Sequence, residues 1–462
     1  MFKVQTITPI DGSLYYSCEA HGLKDVDSAI TLARPAFQEW SKLPLKSRLK
    51  FVSDFVDAIE KDKDEIANEI TWQMGRPLSQ TPWEINGFVE RARYMMGIAE
   101  TALSPFKPEE KDGFERWVEH IPLGVVAVLS PWNYPFLTSV NAIVPALVAG
   151  NAVVLKHSFQ TPLVAERYLK AAKTAGLPEG VFQILHLNHQ NTASLIAHPQ
   201  IDGVFFTGSV EGGKAVQNSL TDKFIPCGLE LGGKDPAYVR ADADLDYAVN
   251  NLVDGSFFNS GQSCCGIERI YVHERLFDKF VDGFAELTKK YVLGNPLDAA
   301  TNIGPMVKTS AADYVRNQIQ DAVKSGAKAL IDESLFKASN KGTAYLAPQV
   351  LIDVNHSMDV MSEESFGPVV GIMKVSSDDE AIRLMNDSKY GLTASLWTED
   401  EESARTVGRA IETGTLFMNR CDYLDPALAW TGVKNTGRGI TLSALGYQQV
   451  THAKSYHLRT KK

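Results

Sequence analysis

The short apolar run AVVL at residues 152–155 opens the alternation that decides the fold of this chain. It is followed in order by PLVAERYLKAAKTA (162–175), FQIL (182–185), TASLIA (192–197) and VFF (204–206). The apolar runs predict buried strands, and the segments between them predict amphipathic helices, which is the pattern of βαβ units. Such strands form a parallel sheet that helices cover on both faces. Because ligands of these sheets bind at the carboxyl ends of the strands, we expect Lys156 and residues 207–209 at a binding site.

A second alternation of strands and helices occupies residues 237–416. Its first helix, predicted over 245–256, leads into the stretch FFNSGQSCC at 257–265. The elements predicted after it are a strand at 269–272 and helices at 276–292, 311–325 and 378–385. Upstream of both alternations, β-rich runs at 118–121 and 124–129 flank Pro122. The sequence therefore predicts an α/β protein with two α/β domains that share one cleft.

The two ends of the chain follow other patterns. The first hundred residues are expected to be helical, because apolar residues recur at three- and four-residue steps from Leu45 to Ile70. This spacing predicts one helix that stops at Gly75 and Pro77, and a second helix follows over 86–102. At the other end, residues 447–458 are weakly patterned as an added strand, and an exposed strand of this kind commonly pairs with a partner.

Composition excludes several classes of function. The 462 residues carry 46 Lys+Arg against 56 Asp+Glu, so the net charge of −10 offers no basic footprint for nucleic acid. The most apolar stretch, 143–155, is too short to cross a membrane and is interrupted by Pro145 and Asn151. Five scattered cysteines do not make a disulfide framework, and no apolar run follows Met1. These features favour a reducing, cytoplasmic location with neither a nucleic-acid nor a membrane partner.

Residues 257–265 place the adjacent thiols of Cys264 and Cys265 among small, turn-forming residues. A reactive thiol needs room for a substrate and surroundings that lower its pKa from about 8.5. Gly261 and Ser263 leave that room. Free cysteines, however, more commonly pack as small hydrophobic side chains. From this stretch alone, a catalytic thiol and a packed cysteine pair both remain open.

The loop FTGSVEGG at 206–213 follows a predicted strand and opens a helix. Backbone amides at a helix N-terminus form a phosphate site, but the G-x-G-x-x-G spacing of the dinucleotide fingerprint is absent. A phosphate site and a plain glycine-rich turn are therefore equally compatible with this loop. No His, Cys or carboxylate cluster has metal-ligand spacing, so no metal is expected, and His186 and His189 are interpreted as loop residues.

Several motifs resemble those of the aldehyde dehydrogenase superfamily. They are PWNYP (131–135), LELGGK (229–234), GQSC (261–264), Lys156 with Thr161 and Pro162, TGS (207–209), ESFGP (364–368) and KNTGR (434–438). Their order and spacing extend the resemblance over nearly the whole chain. The resemblance implies a Rossmann-like NAD(P)-binding domain over 1–103 and 123–232 and a catalytic domain over 233–428. It also implies oligomerisation strands over 104–122 and 447–462, in a homodimer or homotetramer.

The resemblance further implies roles that these residues can support chemically. Cys264 would attack an aldehyde to give a thiohemiacetal and then a thioester, while the Asn133 side chain and the Cys264 amide hold the oxyanion. Glu230 would activate the water that releases the free carboxylic acid, with NAD or NADP as the oxidant. The implied cofactor-binding residues are Lys156, Ser209, Gly208, Trp132, Glu364 and Phe366. The implied tunnel residues are Tyr134, Phe258, Asn141 and Trp430, with Thr138, Asp422 and Tyr423 as further candidates.

The chain departs from the family at positions that affect specificity. Phe159 stands where many NAD-preferring relatives carry a ribose-binding glutamate, so tolerance of NADP is expected. Residues 429–432 (AWTG) replace the usual Pro-Phe-Gly-Gly, and Gly439 replaces an acid, which leaves the substrate class open. The aromatic tunnel residues favour a medium apolar or aromatic aldehyde, and no arginine is apparent to pair with a substrate carboxylate. Asp422 and Asp425 are interpreted as solvated loop acids, with recognition of a cationic aminoaldehyde as the alternative.

Two other functions compete with this hypothesis. A CoA-acylating relative would pass the thioester to a thiol, but such relatives commonly lack a carboxylate at the position of Glu230. A catalytically silent scaffold with the same fold would not need Cys264, Glu230 and Asn133 together. An aldehyde mixed with NAD and no CoA separates the three hypotheses, because only the first predicts NAD reduction.

Overall fold

Strands and helices alternate along most of the chain in the computed structural model, which describes residues 3–461 and leaves Met1, Phe2 and Lys462 outside. The first half contains β1 (Lys3–Ile7), β2 (Leu14–Glu19), α1 (Leu23–Lys42), α2 (Leu45–Lys61), α3 (Lys63–Met74), α4 (Pro82–Ala102), β3 (Phe114–Pro122), β4 (Val125–Ser130), α5 (Pro135–Ala149), β5 (Ala152–His157), α6 (Pro162–Thr174), β6 (Phe182–Ile184), α7 (His189–Ala197), β7 (Gly203–Thr207), α8 (Val210–Ser219) and β8 (Cys227–Glu230). The second half contains β9 (Asp235–Val239), α9 (Leu245–Phe257), β10 (Ile267–His273), α10 (Phe277–Thr288), α11 (Thr309–Lys324), β11 (Lys328–Ala329), β12 (Gln349–Ile352), α12 (Asp359–Ser362), β13 (Val369–Val375), α13 (Asp378–Asn386), β14 (Tyr390–Gly391), β15 (Thr393–Trp397), α14 (Glu401–Ala410), β16 (Thr415–Met418), β17 (Val433–Lys434), β18 (Gly437–Arg438), α15 (Ser443–Gln449) and β19 (Thr451–Arg459).

The first predicted sheet is present as six strands in the order β18-β8-β7-β4-β5-β6. Its neighbouring strands run parallel, except that β18 is antiparallel to β8. Every residue of β4 is buried, as expected for a central strand of a parallel sheet with both faces covered. Helix α6 begins at Pro162, whose fixed φ suits the first helical turn. The strands and helices predicted between residues 152 and 206 are confirmed.

The second sheet has seven strands in the order β11-β12-β13-β10-β9-β15-β16. It is parallel apart from β11, which is antiparallel to β12. Helices α9 and α10 pack their apolar faces against it, and Phe257, Phe280 and Phe284 are fully buried there. The two sheets confirm the predicted α/β class. Helix α9 ends at Phe257, a few residues before the cysteine pair.

The first hundred residues are not helical throughout, and that expectation was wrong. Strands β1 and β2 form an antiparallel hairpin in which Val4 and Thr6 of β1 are buried and their neighbours are exposed. The single helix expected over residues 45–74 is two helices, α2 and α3, joined at Asp62. Asp62 accepts hydrogen bonds from Arg167 and Lys170 of α6. Because tertiary contacts rather than a glycine or proline mark this break, apolar spacing alone did not reveal it.

A separate two-stranded sheet joins the end of the chain to its middle. Strand β19 pairs antiparallel with β3 along its whole length, and the rings of Trp117 and Tyr456 stack with centroids 4.4 Å apart. The predicted terminal strand began too early, because Tyr447 belongs to α15, where its hydroxyl donates to the Met95 carbonyl. Within residues 3–461, no helix is long and apolar enough to span a membrane.

Candidate active site

Cys264 follows a tight turn at the end of α9. Asn259, Ser260 and Gly261 all adopt left-handed backbone conformations, with φ of 53°, 57° and 70°. For residues other than glycine this conformation costs about 1–3 kcal/mol each, so the surroundings must hold the turn in place. At Gly261 a side chain would overlap the carbonyl of Gly367, which explains the glycine. The small residues predicted to form a turn therefore do so, and they leave Cys264 half-buried as a free thiol.

Two cavities of about 430 and 440 Å³ meet at Cys264 and Glu230, which line both. We call the first the strand-end cavity; of the predicted residues it is lined by Trp132, Asn133, Gly208, Ser209, Glu364 and Phe366. We call the second the aromatic tunnel; of the predicted residues it is lined by Tyr134, Thr138, Asn141, Phe258, Asp422, Tyr423 and Trp430. The fold thus brings together every predicted site residue except Lys156. Lys156 lies at the end of the neighbouring strand β5.

Glu230 ends strand β8 and is held by two threonines. Its Oε1 accepts a hydrogen bond from the Thr441 hydroxyl at 2.5 Å, and its Oε2 accepts one from the Thr207 hydroxyl at 3.1 Å. Burial raises the pKa of Glu230 above its ordinary value, and these two hydrogen bonds oppose that shift. Thr207 was expected at the binding site from its place at the end of a predicted strand, whereas Thr441 was not predicted.

Asn133 lies between β4 and α5, with its side chain turned toward the nucleophile loop. One hydrogen of its Nδ2 is donated to the Gln262 carbonyl at 3.3 Å. Its own main-chain carbonyl accepts hydrogen bonds from Arg76 and from Asn259 Nδ2. Because an amide nitrogen carries two hydrogens, the second N–H of Asn133 remains for a ligand in the strand-end cavity.

A buried ion pair holds the segment that carries Asn133. Arg76 Nη1 lies 2.6 Å from Glu84 Oε2, and both side chains are almost completely buried. The other carboxylate oxygen of Glu84 accepts the main-chain N–H groups of Phe136 and Leu137, each at 2.9 Å. These amides belong to the first turn of α5, where helix N–H groups otherwise lack partners.

Replacing Glu84 by glutamine is expected to lower the free energy of unfolding by about 3–5 kcal/mol, because it leaves the buried Arg76 charge uncompensated. Urea denaturation followed by circular dichroism measures this change. Glu100→Gln is the matched control, since Glu100 is an exposed residue of the same helix α4. Equal stabilities of the two variants would contradict the structural importance of the pair.

The strand-end cavity has the features that a dinucleotide needs. Ser209 caps helix α8, and its Oγ accepts the Gly212 N–H, so the positive end of the helix faces the cavity. Glu364 Oε1 accepts the Gly233 N–H at 3.0 Å, whereas Oε2 has no partner among residues 3–461. Burial, together with the charge of Glu268, raises the pKa of Glu364 to about 7. A helix N-terminus of the kind that can bind a phosphate and a carboxylate oxygen that can accept a hydroxyl therefore line one cavity.

Lys156 and Phe159 lie beside each other at the end of β5. The Lys156 Nζ lies 5.1 Å from the centroid of the Phe159 ring. Burial lowers the pKa of Lys156 to about 8. The Phe159 carbonyl accepts a hydrogen bond from the Thr6 hydroxyl at 3.1 Å, which ties this loop to the amino-terminal hairpin.

The aromatic tunnel contains charged groups that the sequence did not place there. Arg91 and Arg420 both line it, so the expectation that no arginine is available was wrong. Arg91 of α4 donates to the Leu137 carbonyl at 2.5 Å and approaches Asn141 Oδ1 at 3.5 Å. Its position on the inner face of α4 depends on packing against α5, which local sequence does not reveal.

The two aspartates that were interpreted as solvated loop acids differ in their surroundings. Asp422 lies inside the tunnel wall and accepts hydrogen bonds from Ser263 and Cys265, so the solvated interpretation was wrong for it. Asp425 accepts the Ala427 N–H at 2.9 Å within an exposed loop turn, as expected of a loop acid.

The fold and the paired cavities define an α/β protein whose two cavities share a free thiol and a carboxylate, and comparison with known proteins identifies its family. The chain belongs to the aldehyde dehydrogenase family, whose model matches residues 2–456. It is 36% identical over 439 residues to the mitochondrial benzaldehyde dehydrogenase of Antirrhinum majus, covering 94% of this chain and 82% of the relative.

Solved structures of aldehyde dehydrogenases share the fold of this chain. The NAD-dependent aldehyde dehydrogenase from Sinorhizobium meliloti superposes with a TM-score of 0.95 at 30% identity, covering 100% of this chain and 92% of that one. The NADP-dependent glyceraldehyde-3-phosphate dehydrogenase from Bacillus halodurans C-125, solved with NADP, superposes with a TM-score of 0.93 at 31% identity, covering 100% of this chain and 96% of that one. The protein is therefore an enzyme that oxidises aldehydes with NAD or NADP.

Proposed function

We propose that this enzyme oxidises its aldehyde to the free carboxylic acid through a thioester on Cys264. The observation that supports this proposal is the position of Cys264 and Glu230 at the junction of the strand-end cavity and the aromatic tunnel. A thiol and a carboxylate at that junction can both reach a reacting carbon that faces a cofactor on one side and a substrate on the other.

The first chemical step is the attack of the Cys264 thiolate on the aldehyde carbon. The negative charge that develops on the aldehyde oxygen is held by the uncommitted N–H of Asn133 and by the main-chain N–H of Cys264. Removing one donor of this kind costs about 10²–10³ in rate. The contacts of Asn133 with Gln262 and Arg76 hold its amide in position before substrate arrives.

The strand-end cavity would hold the dinucleotide. Ser209 and Gly208 at the start of α8 would bind its phosphates, Glu364 its nicotinamide ribose, and Lys156 its adenosine ribose. Trp132 and Phe366, whose ring centroids lie 5.7 Å apart, would flank the nicotinamide end. When bound, NAD or NADP supplies the hydride acceptor that converts the thiohemiacetal into the thioester.

Glu230 would then remove a proton from the water that attacks the thioester carbon, and the Cys264 thiolate would leave. A general base must be unprotonated, and Glu230 is poised for this role by Thr207 and Thr441, which donate to its two oxygens. The thioester is thereby released as a free acid, with no need for a second thiol.

The tunnel wall favours a medium apolar or aromatic aldehyde, since Tyr134, Phe258 and Trp430 supply its apolar surface. A second candidate is an aldehyde that carries a distal anionic group, and the guanidinium of Arg91 in the same wall favours it. The mitochondrial benzaldehyde dehydrogenase among the relatives is consistent with the aromatic candidate.

A panel of aldehydes tests the proposed function. Aliphatic, aromatic, aminoaldehyde and semialdehyde substrates are each mixed with NAD or NADP and no CoA, and reduced cofactor is measured by absorbance. Reduction with formation of free acid, strongest for an aromatic or medium aliphatic aldehyde, is the expected result. Strict dependence on added CoA would replace this proposal with the acylating reaction, and absence of turnover throughout would favour the silent scaffold.

Phe159 is expected to make the enzyme tolerant of NADP, so rates with NAD and NADP should be comparable. Phe159→Glu should raise KM for NADP relative to NAD by about tenfold or more, because a carboxylate repels the 2′-phosphate. Phe159→Gln, which adds an acceptor without a charge, is the control. A wild-type enzyme that uses NAD alone would contradict this role of the ring.

We further propose that the protein functions in the cytoplasm as a homodimer or homotetramer, in which the exposed strand pair β3 and β19 contacts another subunit. The cofactor domain is assigned to 1–103 and 123–232, and the catalytic domain to 233–428. Light scattering of the purified protein measures the number of subunits, and substitutions on the exposed face of β19 should lower it.

A further inference from the structure

We propose that Asp422 is a positioning residue for Cys264, acting as one hydrogen-bond acceptor for the two residues that flank the nucleophile in the chain. This inference deepens the proposed function and rests on the role of Cys264 as the nucleophile. Asp422 lies in the segment between β16 and β17, more than 150 residues from Ser263 and Cys265, the two residues that it contacts.

The contacts define a clamp across the nucleophile. Asp422 Oδ1 accepts a hydrogen bond from Ser263 Oγ at 3.0 Å and one from Cys265 Sγ at 3.0 Å. The two donor atoms lie 3.6 Å apart, so both converge on the same oxygen. Because Ser263 and Cys265 immediately precede and follow Cys264, fixing both restricts the two peptide planes that adjoin it. One of these planes carries the N–H proposed to hold the oxyanion.

Because the two donor residues are buried, losing Asp422 would leave their donor groups without a hydrogen-bond partner. Ser263 and Cys265 are only 4% and 3% exposed, so water cannot replace Asp422 as their acceptor without entering the tunnel wall. A buried donor left without a partner is destabilising, and the turn would avoid this penalty by changing its conformation. The turn already contains left-handed residues, and a loss of support would displace Cys264.

Asp422 is itself held in place from several directions. Its φ of 49° is a left-handed conformation, and the preceding Cys421 donates to the Asn251 carbonyl on α9 at 3.6 Å. On its other side, the Tyr423 hydroxyl donates to Glu90 of α4 at 3.3 Å. The segment therefore bridges the helix that leads into the nucleophile turn and the helix that lines the tunnel.

The clamp also gives the adjacent thiols different roles. The neighbouring Cys264 thiol and burial raise the pKa of Cys265 well above its ordinary value, so Cys265 remains a protonated donor. Cys264 instead lines both cavities and is open to reagents. Asp422 thus retains one thiol as a structural hydrogen-bond donor while the other performs the chemistry.

The direct test is the alkylation of the full-length enzyme by iodoacetamide, followed peptide by peptide with mass spectrometry. In the wild type, Cys264 should be modified before Cys265. Asp422→Ala should slow modification of Cys264 by about 10- to 100-fold, as expected for a misplaced reactive group, and expose Cys265 to the reagent. Asp422→Asn should behave like the wild type, because its side-chain oxygen can accept both bonds and Asn tolerates a positive φ. Asp425→Ala, a change to a loop acid outside both cavities, is the control.

Turnover distinguishes positioning from substrate recognition. If Asp422 positions Cys264, then Asp422→Ala lowers kcat/KM for propanal and for benzaldehyde by the same factor. A loss confined to the larger aldehyde, or to a cationic aminoaldehyde, would show that Asp422 binds substrate and would overturn the proposal. So would an alkylation rate at Cys264 that is the same in Asp422→Ala and in the wild type. Alkylation does not depend on turnover, so failure of the proposed function is distinguishable from failure of the clamp.

A second set of variants keeps the proposal testable if Asp422→Ala does not fold. Removing both donors in Ser263→Ala with Cys265→Ala should reproduce the slowed alkylation of Cys264. Adding Asp422→Ala to this double variant, which then leaves no donor without its acceptor, should slow alkylation of Cys264 no further, since residues that act through one contact are not additive. Wild-type alkylation in the double variant, or a further slowing in the triple variant, would contradict the clamp.

Discussion

Cys264→Ala is expected to lower the turnover of every aldehyde by about 10⁴-fold or more, with either NAD or NADP. The size of the effect follows from the chemistry, because the thiolate forms the bond to the aldehyde carbon and hydride leaves only from that adduct. An alanine at this position leaves both cavities intact, so cofactor binding should persist while chemistry stops. Initial rates of reduced cofactor formation at saturating aldehyde measure the loss.

Cys18→Ser is the matched control for this experiment. Cys18 is a free, partly buried cysteine of strand β2 and lines neither cavity. It should retain wild-type rates. Binding of NAD measured by fluorescence or calorimetry should be similar in both variants and in the wild type, which verifies that Cys264→Ala remains folded. Retention of more than a small fraction of turnover in Cys264→Ala would contradict covalent catalysis at this residue.

Much of the candidate site was predictable because its motifs lie at the ends of elements that the sequence reveals. Lys156 and residues 207–209 follow apolar runs at 152–155 and 204–206, and parallel strands end at one edge of a sheet. The same reasoning places Glu230 beside Thr207, since β7 and β8 are neighbours that pair in register at these two residues. Local pattern and sheet topology were sufficient for this part of the site.

The remaining part of the site depends on partners that sequence spacing does not connect. Thr441, which donates to Glu230, is 211 positions away from it, and Arg91 contacts Asn141 across 50 positions. Asp422 was considered as a tunnel candidate, but its flanking residues give no sign that it turns inward at a positive φ. Buried polar groups need hydrogen-bond partners. The Ser263 hydroxyl and the Cys265 thiol therefore require a nearby acceptor, and this requirement is the signal that points to Asp422.

Glu230→Gln is expected to separate the two halves of the reaction. Acylation of Cys264 does not require the carboxylate, so one equivalent of reduced cofactor per active site should form in a rapid burst. Subsequent turnover should fall by about 10²–10⁴-fold, the usual contribution of a general base. Rapid-mixing absorbance measures the burst, and intact-protein mass spectrometry detects the acyl group on Cys264. Glu179→Gln, an exposed residue outside both cavities, is the control and should show normal turnover without acyl accumulation.

The dependence on pH gives an independent test of the same assignment. Burial raises the pKa of Glu230, so its active, unprotonated form is reached at a higher pH than for an exposed glutamate. Steady-state turnover limited by thioester hydrolysis should therefore increase as pH rises through that displaced pKa, and Glu230→Gln should lose this increase. A glutamine cannot titrate, so any rise that persists in the variant must arise from another group.

The fate of the trapped acyl group decides between water and a thiol as the natural acceptor. If Glu230 serves hydrolysis, hydroxylamine should restore turnover to Glu230→Gln, because this small nucleophile can attack a thioester without a general base. CoA should accelerate the wild type little, since Glu230, at the junction of the two cavities, would already activate water for attack on the thioester. If CoA instead accelerates the wild type strongly and the product is an acyl-CoA, Glu230 has another role and the enzyme is an acylating one. A variant that shows no burst at all would mean that Glu230 is needed before the thioester forms, and its assignment as the hydrolytic base would then be wrong.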